Sequence, residues 1–197
     1  MGQVIASAAM SLDGFVADTE DAVGPLFDWY SNGDVAITAA DPDRVFHVTD
    51  ATANYLRAAW ADIGAAVIGR RLFDLTNGWD GRPAIGGHVF VVTHKPPVGW
   101  PFPGAPFTFV TDGLASAIAQ ARAFAGRRNV ALTAGNLTGQ ALAAGLVDEV
   151  SVNLVPAVFG SGVRFFGSYA GSPALLDNPQ VVQGERVTHL HYRVRKP

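Results

Sequence analysis

Short apolar runs alternate with helix-length patterns through the middle of this chain, and that alternation leaves few architectures open. Apolar runs end at Gly69, at Val92, at Val110 and at Leu132, each about five residues long. Between them lie segments with helical spacing. Thr49 or Asp50 can cap a helix whose inner face is Ala53, Leu56, Trp60 and Ile63, with Gly64 as its stop. A short helix through Phe73 and Leu75 follows Gly69, Asp112 can cap a helix with the stripe Leu114, Ile118, Ala121 and Ala125, and Leu137–Ala144 reads as another helix ended by Gly145. Strands and helices in alternation predict an α/β fold, a mostly parallel sheet with helices on both faces. Residues 3–10 read as a first buried strand, closed by Ser11-Leu12-Asp13-Gly14 and continued by Phe15-Val16-Ala17. The last third reads as strands without helices between them, which predicts antiparallel C-terminal strands added to a parallel centre. In the final strand Thr188, Leu190, Tyr192 and Val194 alternate with His189, His191, Arg193 and Arg195, so one face is expected buried and the other solvated.

With 197 residues, 49% apolar and 16% charged, the chain can fill one core, and residues 1–197 are expected to form a single domain. A net charge of −3 with no basic block excludes the broad cationic face that nucleic acid requires. Having no cysteine, the chain has no disulfide scaffold, thiolate nucleophile or thiolate-bound zinc. The N-terminus lacks the basic flank and apolar stretch of a signal peptide, and no run approaches about 18 apolar residues, so a cytoplasmic protein without a membrane partner is expected. Residues 18–48 have no sustained periodicity and are expected to be a long loop, functional or partner-binding, carrying Phe27, Trp29, Tyr30 and Phe46. Aromatic loops at 27–30 and 100–102 are of the kind enriched at interfaces, and a homodimer is expected.

Chemistry is carried by two strand ends. VIGRRLFD (67–74) runs from an apolar strand through Gly69 into Arg70 and Arg71, where the unpaired N–H groups of a helix start meet two planar guanidinium forks. HVFVVTHK (88–95) ends in Thr93, His94 and Lys95, which offer hydroxyl, imidazole and ammonium donors. Two neighbouring strand tips with phosphate-seeking groups predict one nucleotide lying across both. GSGVRF (160–165) lacks the third glycine and the following helix of a Rossmann fingerprint, and neither a P-loop nor a serine-hydrolase elbow occurs. His189 and His191 have no third ligand close in sequence, so no metal site is expected.

MSLDGFVA (10–17), VIGRRLFD (67–74), VFVVTH (89–94) and the Gly-Leu-Val-Asp-Glu, Pro and Gly-x-Gly pattern within 141–166 together resemble the dihydrofolate reductase-like family. The closer likeness is to the reductase domain of the bifunctional riboflavin-biosynthesis deaminase-reductase and its stand-alone forms. The zinc site of the deaminase half requires cysteines that this chain lacks. The resemblance implies a reductase that moves a hydride from NADPH to a C=N bond of a small pyrimidine- or pterin-like heterocycle or imine. It places Gly69, Arg70 and Arg71 at the phosphates, Thr93, His94 and Lys95 at the 2′-phosphate, and the turn Ala134, Gly135, Asn136 and Leu137 against the cofactor. Ser11, Trp29 and the loop Gly160, Ser161 and Gly162 would lie near the substrate and nicotinamide. Asp13, in the turn that faces the cleft, and Asp28, among aromatic neighbours that favour a protonated carboxyl, are the candidate proton donors. Thr133-Ala134 stands where relatives often have Gly-Gly, and Leu72 where a threonine is common. A non-catalytic, nucleotide-binding homodimer that kept the fold is the alternative reading.

Overall fold

Eight strands join into one sheet in the computed structural model, which describes residues 2–196. In chain order the strands are β1 (Val4–Ser11), β2 (Phe15–Ala17), β3 (Val35–Thr38), β4 (Val45–Val48), β5 (Ile63–Gly69), β6 (Val89–Val92), β7 (Phe107–Val110), β8 (Asn129–Thr133), β9 (Glu149–Val155), β10 (Val163–Arg164), β11 (Gln180–Gln183) and β12 (Thr188–Arg193). The α-helices are α1 (Asp50–Ala61), α2 (Arg70–Asp80), α3 (Leu114–Ala125) and α4 (Asn136–Ala143), and Gly24–Tyr30 is a 3-10 helix. The sheet order is β11-β12-β9-β1-β8-β5-β6-β7. From β9 to β7 every neighbouring pair is parallel, and β12 and β11 add antiparallel pairs at one edge. The mixed, mostly parallel sheet with antiparallel C-terminal strands is the one the sequence pattern predicts.

Side-chain alternation divides the core. Val4, Ala6, Ala65, Val67, Val130 and Leu132 face α3 and α4, where Ala117, Ile118, Ala121 and Ala125 complete one apolar cluster. Gly64 lies inside β5 rather than ending α1. A side chain there would come 2.8 Å from the Ala125 Cβ, so its absence lets α3 lie close on the sheet. On the opposite face α2 packs on β5 and β6 through Phe73, and α1 packs near β11 and β3 through Ala53 and Leu56. The two helices stand apart, and between them the sheet carries the small residues Ser7, Ala9, Ala66 and Ala131.

Residues 18–48 are more ordered than their lack of periodicity predicts. They hold the 3-10 helix and the β3–β4 hairpin, whose Leu26, Trp29, Ile37 and Val48 are buried in a cluster with Ala53 and Leu56. Segments of three to seven residues are too short for a helical or strand period to emerge. Of the aromatic residues behind the expected interface, Trp29 stacks on Tyr30 at 3.8 Å and Trp100 lies edge-on to Phe73 and Phe107 at 5.2 Å, while Phe27 is exposed. Asp112 does not cap α3, whose N-cap is Gly113, and α1 has no side-chain cap at Thr49. The expected solvated face of β12 is exposed at Arg193 and Arg195 but not at His189. α1 covers His189, which is fully buried, bonded to Thr52 and stacked on Tyr55.

Candidate functional site

Three of the strand-to-helix junctions share one design. β5 passes into α2 at Gly69, the segment after β7 enters α3 at Gly113, and β8 leads to α4 at Gly135; each glycine is the helix N-cap, and none of the three helices has a side-chain cap. Gly113 and Gly135 have φ of 103° and 107°, a region open to glycine and costly for residues with a Cβ. All three caps line a single cleft of about 1900 Å³ at the C-terminal ends of the parallel strands. Free backbone N–H groups at helix starts attract anions, and a sheet's carboxyl edge at a change of strand order is where α/β proteins bind ligands.

The charge around this edge agrees with the backbone. Arg44, Arg70, Arg71, Lys95 and Arg164 line the cleft, and Asp21 is the one carboxylate among the described lining residues. Three of the five are ion-paired, Arg44 with Asp41, Arg70 with Asp74 and Arg71 with Asp21, so the net positive charge of this edge comes from Lys95 and Arg164. Arg70 reaches back over β6: its Nη1 donates to the Lys95 carbonyl at 2.7 Å and lies 3.5 Å from the Thr93 hydroxyl, while its Nε donates to Asp74 at 2.7 Å. Arg71 turns the other way, donating through Nε and Nη2 to Asp21 at 2.9 and 2.6 Å. The two guanidiniums therefore do not form the joint clamp that their adjacency in sequence predicts. Residues i and i+1 on a helix point about 100° apart, so the pair diverges, Arg70 joining Thr93, His94 and Lys95 and Arg71 joining the turn after β2. The groove between them stays open.

Below this edge the cleft descends between α1 and α2 as an apolar slot. Its floor is Ser7, Ala9, Ala66, Ile68, Ala131 and Asn153. One wall is aromatic, with Phe27, Tyr30, Phe46 and Trp60, and the other holds Leu72, Leu75, Trp79 and Ile85. Tyr30 is fixed between Trp29 and Phe46, and burial pushes its phenol upward, so it remains a neutral O–H donor. Trp79 is set by a left-handed turn: Asn77, Gly78, Trp79 and Asp80 all have φ between 49° and 59°, which ends the right-handed part of α2. Left-handed backbone at non-glycine residues costs about 1–2 kcal/mol each and persists where the surroundings enforce it. Here the Trp100 indole donates to the Asn77 carbonyl at 3.2 Å, and Asn77 donates to Asp80 at 2.7 Å.

All ten expected cofactor residues, Gly69, Arg70, Arg71, Thr93, His94, Lys95, Ala134, Gly135, Asn136 and Leu137, line the cleft. The expected proton donors do not. Asp13 accepts a hydrogen bond from the Ser11 hydroxyl at 2.7 Å and from the backbone N–H groups of Phe159 and Gly160, and these bonds, the Ser11 one foremost, hold its carboxyl down at about 2. It is an acceptor that ties the β1–β2 turn to the 158–160 loop and holds no proton to give at neutral pH. Asp28 is exposed and outside the cleft. Ser11 is fully buried, bridging Asp13 and the Phe15 N–H, and Trp29 is 1% exposed with its indole N–H on the Leu26 carbonyl. Of the expected substrate loop only Gly162 lines the cleft, while Gly160 and Ser161 are exposed beyond it. Sequence reading missed Gly113, Arg44, Arg164, Tyr30 and Asn153 as lining residues. Gly113 had a visible signal, a glycine just past the apolar strand FTFV, and Asn153 had another, an amide inside the buried run EVSVNLV.

No family model matches the chain, and no curated relative matches its sequence. Solved structures do. A protein ascribed to riboflavin biosynthesis from Shewanella sp. PV-4 is 22% identical over 98% of this chain and 99% of that one, with a TM-score of 0.70. A diaminohydroxyphosphoribosylaminopyrimidine deaminase/5-amino-6-(5-phosphoribosylamino)uracil reductase from Thermotoga maritima is 14% identical over 98% of this chain, with a TM-score of 0.63, and this chain spans 57% of its length. Dihydrofolate reductase from Enterococcus faecalis, in a complex with NADP(H), is 14% identical over 99% of this chain and 98% of that one, with a TM-score of 0.59. The fold is thus the dihydrofolate reductase-like α/β architecture. Among the described residues no helix is long and apolar enough to cross a membrane.

Proposed function

We propose that this protein is an NADPH-dependent reductase of a small planar substrate. The observation that carries the reading is the convergence of three glycine-capped, side-chain-free helix starts and five basic side chains on one cleft, directly above an apolar slot. The donor set fits a dinucleotide phosphate. Gly69 to Leu72 and Gly135 to Leu137 supply backbone N–H groups for a pyrophosphate, and Arg70 with Thr93, His94 and Lys95 supplies the cationic pocket that a 2′-phosphate requires, where an acidic residue would suit a free ribose hydroxyl. The likeness to a reductase structure determined with NADP(H) supports the same reading.

When bound, the nicotinamide would supply a hydride to a polarised C=N carbon. The chain's own part is orientation and exclusion of water. The floor of Ser7, Ala9, Ala66 and Ala131 leaves room for a flat ring, Tyr30, Phe46 and Trp60 flank it, and Arg44 and Arg164 suit an anionic arm of the substrate. With Asp13 held ionised outside the cleft, Asp21 bound to Arg71 and the buried Tyr30 phenol held neutral, the substrate nitrogen takes its proton from solvent.

Fluorescence titration with NADPH tests the reading. Saturable binding below millimolar concentration, at least about tenfold tighter than NADH, is expected; absence of saturation overturns it. NADPH oxidation with a panel of pteridines, uracil derivatives and cyclic imines then separates the reductase from a cofactor-binding protein without turnover.

A further inference from the structure

Asn153 is the one amide on the slot's sheet floor among the described residues, and its surroundings fix which way it points. It lies on β9 in register with Ala9 of β1 and His189 of β12, is 7% exposed, and lines the cleft. Its Oδ1 is 2.7 Å from His189 Nδ1, and His189 Nε2 is 3.1 Å from the Thr52 hydroxyl. With the amide oxygen against the ring, Nδ1–H donates to Asn153 and Nε2 accepts from Thr52, so Thr52, His189 and Asn153 form a relay of three side chains from α1 to the slot. His189 is held rigidly for this: it stacks on Tyr55 at 4.4 Å and meets Trp29 edge-on at 5.5 Å, while the Tyr55 hydroxyl is anchored 3.0 Å from Ser151. The amide oxygen is thereby used, and the Nδ2 hydrogens are left facing the slot. Ala9 beside it has too small a side chain to cover them.

We propose that Asn153 is a specificity-determining residue, its Nδ2–H donating to a carbonyl-type acceptor on a planar ring seated between α1 and α2, with His189 and Thr52 as positioning residues. This rests on the slot being the substrate site. It also names what the slot rejects. No carboxylate stands on the floor, and the one in the cleft, Asp21, is bound to Arg71, so a ring edge made of amino and amidinium donors would meet Asn153 donor to donor. A ring with lactam carbonyls is the class the slot takes, and one with a 2,4-diamino edge is the class it refuses.

The test uses NADPH-saturated protein and two probes of one shape, pteridine-2,4-dione and 2,4-diaminopteridine. The wild type is expected to bind the dione at least about tenfold more tightly, the worth of one hydrogen bond gained and one clash avoided. Asn153→Asp inverts the preference, because a carboxylate accepts from the diamino edge. His189→Phe, which keeps the ring stacked on Tyr55 and removes the donor, weakens the dione by about tenfold and leaves NADPH affinity unchanged. Nitrogen-15 spectra of the wild type should show His189 neutral and protonated on Nδ1. Equal affinity for the two probes, an Asn153→Asp protein with an unchanged preference, or His189 protonated on Nε2 each overturns the proposal. Failure of both probes to bind a protein that still binds NADPH overturns the proposal alone, whereas loss of NADPH binding overturns the reading beneath it.

Discussion

The two ends of the cleft are built by opposite means. At the strand tips the groups that matter are backbone N–H groups and charges, delivered by contiguous pieces of chain in which a strand, a glycine and a helix follow one another. In the slot they are apolar walls and one amide, assembled from β1, β9, the 3-10 helix, β4, α1 and α2, segments as far apart in sequence as Ser7 and Asn153. One end is a local motif used three times. The other exists only after the sheet has been ordered, so it can vary while the tips stay fixed.

The strongest expected effect lies at the slot end. Trp29→Ala removes a side chain that is 1% exposed and supports Tyr30, and should cost about 3–5 kcal/mol in urea unfolding. A variant that loses ligand affinity with stability intact would return Trp29 to the site itself. Next is the buried relay. Burial lowers His189 to about 4 from 6.5, so between those values the unfolded chain takes up a proton that the folded one refuses. Stability from this source is complete above pH 6.5 and is lost as pH falls toward 4, on the order of 3 kcal/mol in all. In His189→Gln the slope across that window should shrink, though a residual slope is expected from His88, which burial shifts the same way; an unchanged slope would mean that His189 is hydrated.

Smaller effects sharpen the phosphate end. Arg70→Ala should weaken NADPH by about tenfold, or 1.4 kcal/mol, and NADH scarcely at all. Equal losses would move Arg70 from the 2′-phosphate to the pyrophosphate. Asp21→Asn frees Arg71, whose side chain is 70% exposed, so the ion pair contributes less than about 1 kcal/mol to folding and NADPH affinity should rise slightly. A fall in affinity would make Asp21 part of the ligand site.

The same division explains what the sequence disclosed. VIGRRLFD and HVFVVTHK hold their expected cofactor residues within eight positions each, and every cofactor position drawn from them lines the cleft. That Arg70 and Arg71 part company was also implicit in helical geometry. Asp13 misled because a turn before Gly14 looks the same whether its carboxylate faces a ligand or the N–H groups of Phe159 and Gly160, and that partner lies 146 residues away. Trp29 misled because an aromatic residue in an aperiodic stretch gives no sign of the core formed later by α1 and the β3–β4 hairpin. Tyr30 came into view only when the 3-10 helix settled against β1 and β4.

The proposed reductase holds a reduced dinucleotide phosphate across the tips of β5, β6 and β8. Amide chemical shifts recorded during an NADPH titration test it directly. The largest changes are expected on residues 69–72, 93–95 and 135–137, with β11 and the 100–105 loop silent. Saturating shifts confined to other surfaces, or none at all, would contradict it.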